Sequence, residues 1–229
     1  MRRCFQRHSY VHLPGLISEQ SMQILREEIA SLENHCISRN FIMPELRTPR
    51  VMKVLGGGSL VRESKILWAL YSHYQLWRVI EGIVDSRIYP CRHPEEFMVA
   101  NFLVESGQTH GWHLDDPAYA LIIFLEAPEQ PSCGGSLEYI QDWQGYCLRN
   151  GFDPEKEVET AVARARAAGL VLDRTHRTGE AYLLKADTCL HRVTGLQGEG
   201  LRRVALNLGY ESRPDTKYGS TASLLYGEP

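Results

Sequence analysis

The sequence predicts an α+β fold that is mainly β, with helices backing an antiparallel barrel or sandwich. Two observations carry this reading. Residues about 1–90 hold two segments of helical periodicity. From about 91 to 212 the period falls to two, and short apolar runs recur between turn residues.

Taken in order, Tyr10 to Leu13 is a short strand candidate ended by Pro14-Gly15. Ser18 has N-cap chemistry, and Ile24, Leu25, Ile29 and Leu32 follow at helical spacing. Val54-Leu-Gly-Gly-Gly58 reads as a turn or loop. A second helix is expected over Ser64 to Val84, with Ile66, Leu67, Leu70, Tyr74, Trp77 and Ile80 on one face. Strands are then expected at Phe97–Val104, Ala120–Leu125, Ser136–Ile140, Ala181–Leu184 and Arg203–Tyr210. Gly134-Gly135 suits a tight turn between two of them. One helix, over about 153–169, interrupts the series. Asp153 would cap it, Pro154 would open it, Arg164 and Arg166 come late, and Gly169 closes it. Residues 1–229 read as a single domain.

Composition excludes several function classes. A net charge of −3 gives no surface for a polyanion, so nucleic acid is not an expected partner. The six cysteines are scattered with no C-x-x-C pair, as in reduced thiols rather than a disulfide frame or zinc cage. The basic N-terminus lacks an apolar core, and no apolar run is long enough to span a bilayer. A cytoplasmic protein without a membrane partner is expected.

The chemistry concentrates in Thr109-His-Gly-Trp-His-Leu-Asp-Asp116. His113-Leu-Asp115 is H-x-D, and on a strand residues i and i+2 share a face. An imidazole and a carboxylate so placed can reach one metal ion, but a third ligand is needed. His191 supplies it, after the strand around Leu184 and before a Gly-rich turn. About a dozen residues later two arginines open the last strand. H-x-D, a long gap, a histidine and then a strand arginine form the facial-triad pattern of non-haem Fe(II) oxygenases. Three ligands leave open positions for the keto acid of 2-oxoglutarate and for O2. An arginine fork would clamp the far carboxylate of 2-oxoglutarate. Arg202 shares a face with Val204, Leu206 and Leu208, whereas Arg203 shares one with Ala205, Asn207 and Gly209. The small, polar face suits a barrel interior, which favours Arg203. A bulge at the strand start would reverse the choice to Arg202.

At this point the chain resembles a known family, the Fe(II)/2-oxoglutarate-dependent oxygenases with a double-stranded β-helix (jelly-roll, cupin-like) core. The closer resemblance is to the small enzymes that halogenate or hydroxylate free amino acids, the group containing the radical lysine halogenases. THGWHLDD, YALIIFLEAP, GGSLEYI, YLLKADTCLHRV and RRVALNLGY carry the resemblance, over roughly Glu96 to Tyr210. In the halogenases the metal carboxylate is replaced by a small residue that makes room for chloride. Asp115 is present here, so the resemblance implies oxygenation. It also implies that Arg50 meets the substrate carboxylate, that Glu96 and Asp116 receive ammonium groups, and that His110 and Asn207 line the pocket. A basic free amino acid, lysine-like, follows as the substrate. Where lysine-acting members close the pocket with a tryptophan, this tail offers Leu225 or Tyr226.

Plainer readings stand beside these. Asp116 is also a turn residue before Pro117, and Glu96 a surface acid beside Pro94-Glu95. Trp112 reads as barrel packing, and His12, His73 and His93 as ordinary core or surface residues. Desaturation, ring closure, a carrier-tethered substrate, a Zn²⁺ or Mn²⁺ isomerase and a catalytically silent binding barrel are the competing functions. Oligomeric state is left open, a homodimer included.

Overall fold

The computed structural model describes residues 1–227. In chain order the elements are α1 (Arg2–His8), β1 (Tyr10–His12), α2 (Glu19–Leu32), β2 (Ile37–Ile42), β3 (Pro49–Gly56), α3 (Gly57–Glu63), α4 (Lys65–Tyr71) and α5 (Tyr74–Val84). There follow β4 (Tyr89–Pro90), β5 (Met98–Leu103), β6 (Thr109–His113), β7 (Tyr119–Glu126), β8 (Leu137–Ile140), α6 (Trp143–Asn150) and α7 (Val158–Ala167). The chain ends through β9 (Leu172–Arg174), β10 (Ala181–Lys185), β11 (Leu190–Val193), β12 (Arg203–Glu211) and α8 (Thr221–Tyr226).

All pairings are antiparallel, and the strands run β1-β10-β7-β12-β5-β3-β6-β11-β8-β9. The sheet curls into the jelly-roll expected for a mainly β, α+β chain. β3 is the hinge of the curl. Its first half pairs with β6, through Arg50 opposite His110, and its second half pairs with β5, through Lys53 opposite Phe102.

Period-two alternation sorts the side chains into two environments. On β7, Leu121, Ile123 and Leu125 face the helices and pack with Leu25, Ile29, Leu67 and Ile80. Ala120, Ile122 and Phe124 face inward, against Tyr139, Tyr182 and Ala205. β12 does the same, with Val204, Leu206 and Leu208 against the helices. Ser18 caps α2 by accepting from the Ser21 amide at 3.2 Å.

Several sequence expectations are corrected. Val54–Gly58 is not a loop: β3 runs to Gly56, and Gly57 opens α3. The region to residue 90 is therefore not purely helical, because β1, β2 and β3 belong to the sheet. The helix expected over Ser64 to Val84 is broken at Ser72-His73 into α4 and α5. Tyr74 consequently leaves the apolar face and is 73% exposed. Asp153 does not cap α7; its carboxylate closes a turn onto the amides of Glu155 and Lys156, and the helix starts at Val158. Gly134-Gly135 is no hairpin turn, since β7 and β8 are not neighbours. Both glycines take positive φ, and a Cβ on Gly134 would lie 1.9 Å from the Gly195 carbonyl oxygen. They permit close passage beside that loop.

One polar knot ties the outer layer to the site strand. Buried Glu138 of β8 accepts two hydrogen bonds from Arg166 of α7, at 2.9 and 2.7 Å, and one from Arg192 Nε at 2.7 Å. Arg192 adjoins His191, and its guanidinium lies 5.0 Å from the centre of the Trp112 ring. Burial alone would raise the Glu138 carboxyl, but the bonds from Arg166 and Arg192 outweigh it and hold it below the ordinary value. A depressed carboxyl contributes stability that is present above its unfolded value and is lost as pH falls through the folded one. Glu138→Ala is expected to cost about 1–3 kcal/mol at neutral pH, because both arginines reach solvent. The penalty should shrink in acid, which thermal melts at pH 7 and pH 4 would check; an equal loss at both would contradict the ion-pair account.

Candidate active site

The metal-ligating side chains come from the ends of neighbouring strands. His191 of β11 and His113 of β6 are direct cross-strand partners, which brings their rings to 4.1 Å between centroids. Asp115 lies two residues beyond His113, just past the end of β6 rather than on it. Its amide donates to the Ala186 carbonyl at 3.1 Å, which turns the carboxylate back toward the histidines. Asp115 Oδ1 lies 3.4 Å from His113 Nε2 and 3.6 Å from His191 Nε2. One ligand atom from each of the three residues falls within 4.8 Å of the others. Among the described residues no other such group occurs.

The histidines are oriented alike. His113 Nδ1 lies 2.7 Å from the Gly111 carbonyl oxygen, and His191 Nδ1 2.9 Å from that of Cys189. A carbonyl oxygen can only accept, so each Nδ1 carries the proton and each Nε2 lone pair points at the common centre. Burial pushes His191 down to about 4, with the charge of His113 adding to it, so the ring stays neutral and able to ligate. Burial works against the Asp115 carboxylate, but His191, His113 and the Asn207 amide together keep its pKa low. Two neutral imidazoles and one anionic oxygen are a donor set that suits Fe(II).

Behind the triad lies a cavity lined by Asn101, Ala120, Ile122, Tyr182, Leu184, Arg203 and Asn207. Arg203 is 3% exposed and sits over the Phe124 ring at 5.0 Å. Its Nε donates to Gly135 O at 3.0 Å. No other protein acceptor meets its guanidinium among the described residues, so the terminal nitrogens are left for an anion. Arg202 lies elsewhere. It pairs with Glu126 at 2.8 Å and Glu33 at 2.8 Å on the outer face, so it does not reach the cavity. The strand bulge falls at Val204/Ala205, beyond the arginines, and leaves the alternation between them intact.

In front of the triad, Arg50, Glu96, His110, His113, Asp115, Asp116, Asn207 and Tyr226 share a second cavity. Arg50 is 2% exposed, and its Nε finds no partner. Glu96 is also buried, and its Oε2 is unpartnered. Burial, reinforced by Asp116 and Asp115, raises the Glu96 carboxyl to about 8. Its outward-facing reading as a surface acid is thereby corrected. The His110 ring stacks on His113 at 3.8 Å, and its Nε2 has no partner. Asp116 Oδ2 accepts from the Gly219 amide at 2.6 Å, which draws the C-terminal segment over the opening. Arg39 holds the same segment by donating to Leu225 O at 2.8 Å and to Gly227 O.

Sequence reasoning did not find Tyr182 or Asn101 in the rear cavity, nor Thr48 beside Arg50. The inward alternation of β10 and β5 was the available signal for the first two. Of the two closing residues proposed from the tail, Tyr226 faces both cavities, whereas Leu225 also packs with Met43, Met52 and Val54.

Comparison with known proteins agrees with this chemistry. The Halogenase D family model matches residues 1–225. A search of curated proteins returns no match. The fold is shared with SnoN, a non-haem α-ketoglutarate-dependent epimerase from nogalamycin biosynthesis. The two are 16% identical, with TM-score 0.67 over 100% of this chain and 87% of that one. HygX from Streptomyces hygroscopicus, solved with nickel and 2-oxoglutarate bound, is 15% identical, with TM-score 0.64 over 95% and 88%. A prolyl hydroxylase from Trichoplax adhaerens is 13% identical, with TM-score 0.63 over 92% and 86%. With 225 of its residues matched by one family model, a jelly-roll core and a convergent His-Asp-His set, the chain belongs to the halogenase D family of enzymes that use non-haem iron and 2-oxoglutarate.

Proposed function

We propose that the protein hydroxylates an unactivated C–H bond of a free, basic, lysine-like amino acid. The balance is amino acid plus 2-oxoglutarate plus O2 giving hydroxylated amino acid, succinate and CO2. The observation that carries the substrate class is a pair of buried, unpartnered polar groups flanking the triad, the Arg50 guanidinium and a Glu96 carboxyl that its raised value keeps protonated until a cation arrives. Arg50 offers a bare Nε to a carboxylate, and Glu96 a bare Oε2 to an ammonium. Each is costly to bury alone. A ligand carrying both a carboxylate and a cationic tail would relieve both costs at once.

The remaining roles follow from position. His113, Asp115 and His191 would hold the metal, which would supply the oxidising power for the C–H bond at the expense of 2-oxoglutarate and O2. Arg203, desolvated and lacking a counter-charge, receives the distal carboxylate of 2-oxoglutarate. Asn207 lines both cavities beside Asp115, and His110, held neutral by burial, forms an uncharged wall beside His113. Asp116 adds negative charge near Glu96 while it anchors the tail. Asp115 decides for oxygenation within a family named for halogenation, because its carboxylate fills the position that halogenases leave to chloride.

Succinate release, measured with anaerobically loaded Fe(II) against L-lysine, L-ornithine, L-arginine and neutral amino acids, tests the proposal. Release triggered by a basic amino acid, with a product heavier by one oxygen, is expected; a product lighter by two hydrogens would mean desaturation, and silence toward all of them would sink the free-amino-acid reading. Asp115→Ala should lose amino-acid-triggered hydroxylation; retention at the wild-type rate would refute the triad. Arg203→Met should raise KM for 2-oxoglutarate on the order of a hundredfold with the thermal midpoint preserved. An equal effect from Arg202→Met would show that the clamp is misassigned.

A further inference from the structure

Arg50 is held by a specific set of acceptors, and they use only one of its three nitrogens. Nη1 donates to Thr48 Oγ1 at 2.9 Å, to Pro49 O at 3.1 Å and, at the long end, to Gly111 O at 3.4 Å. Nε has no partner although it is buried. The edge formed by Nε and Nη2 is therefore the fork left for a carboxylate, whose two oxygens match two parallel N–H bonds.

The acceptors of Nη1 also belong to the metal site. Gly111 O is the oxygen that accepts from His113 Nδ1 at 2.7 Å. Thr48, 7% exposed, donates its hydroxyl proton to Trp112 O at 2.7 Å while accepting from Arg50. One threonine hydroxyl thus joins the guanidinium to the peptide that leads into His113. The two backbones are as close as glycine allows, since a Cβ on Gly111 would lie 2.7 Å from Pro49 Cδ and 2.8 Å from Pro49 O. Arg50 and His113 are braced as a unit.

We propose that Thr48 is a positioning residue: its hydroxyl fixes the Arg50 guanidinium relative to His113, so that the free Nε–Nη2 edge holds a substrate carboxylate at one distance from the triad. This rests on the reading of Arg50 given above. Without that hydroxyl, Nη1 loses its shortest bond and Trp112 O is stranded. The guanidinium gains freedom to rotate about its long stem, and the carbon presented to the metal is no longer unique. Valine has threonine's shape and lacks its hydroxyl, whereas serine keeps the hydroxyl.

The test compares wild type, Thr48→Val, Thr48→Ser and Arg50→Met, each loaded with Ni(II) and 2-oxoglutarate. Calorimetric titration with L-lysine, L-ornithine and L-arginine reads binding without turnover. The iron-loaded enzymes then give KM, kcat and hydroxylated product per succinate. Thr48→Val should weaken amino-acid binding roughly fivefold to tenfold, the scale of one ordinary net hydrogen bond. Nickel and 2-oxoglutarate affinities should stay unchanged, while product per succinate falls; Thr48→Ser should restore both. Wild-type binding and coupling in Thr48→Val, alongside a large loss in Arg50→Met, would overturn the positioning role and leave the clamp standing. No loss in Arg50→Met would overturn both. Equal loss of metal or of folded protein in the valine and serine variants would also overturn it, because serine keeps the hydroxyl and the loss would then not follow it.

Discussion

The structure depends on keeping charge dry. Arg203, Arg50, Glu96 and the His113–Asp115–His191 set are all largely withdrawn from water, and none of the first three is ion-paired among the described residues. Such groups destabilise a fold unless the frame around them is over-determined. The frame here is the helix-backed face of the major sheet, where Val204, Leu206, Leu208, Leu121, Ile123 and Leu125 bury against α2, α4 and α5. That layer lies one residue out of phase with the polar interior. Fold stability and site chemistry are written on alternate positions of the same strands.

Alternation is a local signal, which is why much of the β core was legible in the sequence. The runs at Ala120–Leu125 and Arg203–Tyr210 carry it, and the choice between Arg202 and Arg203 followed from it. The missed elements lack such a signal. Three consecutive glycines span the end of β3 and the start of α3, and they read as a turn on propensity alone. They are tolerated because Gly57 packs under Phe97 and the Glu95 carboxylate covers Gly56 and Gly58. Tertiary context overrides propensity there. The break at Ser72-His73 is hidden for the opposite reason, since α4 and α5 share one apolar period across it. At Asp153 the capping chemistry is real but closes a turn, and α7 begins five residues later.

The site divides in the same way. His113, Asp115 and His191 could be paired from spacing because metal ligation constrains residue types at short range. Thr48, Asn101 and Tyr182 carry no such mark. Their meaning arises only when β3, β5 and β10 are placed around one interior. Arg50 and Glu96 required a resemblance to be singled out, and the structure adds what the resemblance lacks: a bare Nε and a bare Oε2 in a common cavity. Arg202 shows the converse. It stands beside Arg203 in the sequence, yet Glu33 and Glu126 fully explain it on the outer face.

Asp115 is the residue on which hydroxylation and halogenation would part within this frame. It is not built into the β6 ladder, because the strand ends at His113 and the turn is held by the Asp115 amide on Ala186 O, the Ala186 amide on Ala118 O and the Gly219 amide on Asp116. Those bonds are made by backbone atoms and by Asp116, none of them by the Asp115 side chain. A small residue would leave both imidazoles in place, still oriented by Gly111 O and Cys189 O, and would open a gap where Oδ1 now lies. The carboxylate instead would neutralise part of the charge of a bound metal, and it shares its cavity with Asn207 from β12, a strand that also bears Arg203. Changing that one position would alter charge and coordination without disturbing the fold, whereas changing Asn207 or Gly111 would disturb the elements on which the other ligands stand. The chemistry of such a barrel is therefore free to vary at the loop after β6, while the strands that bear Arg50 and Arg203 remain fixed.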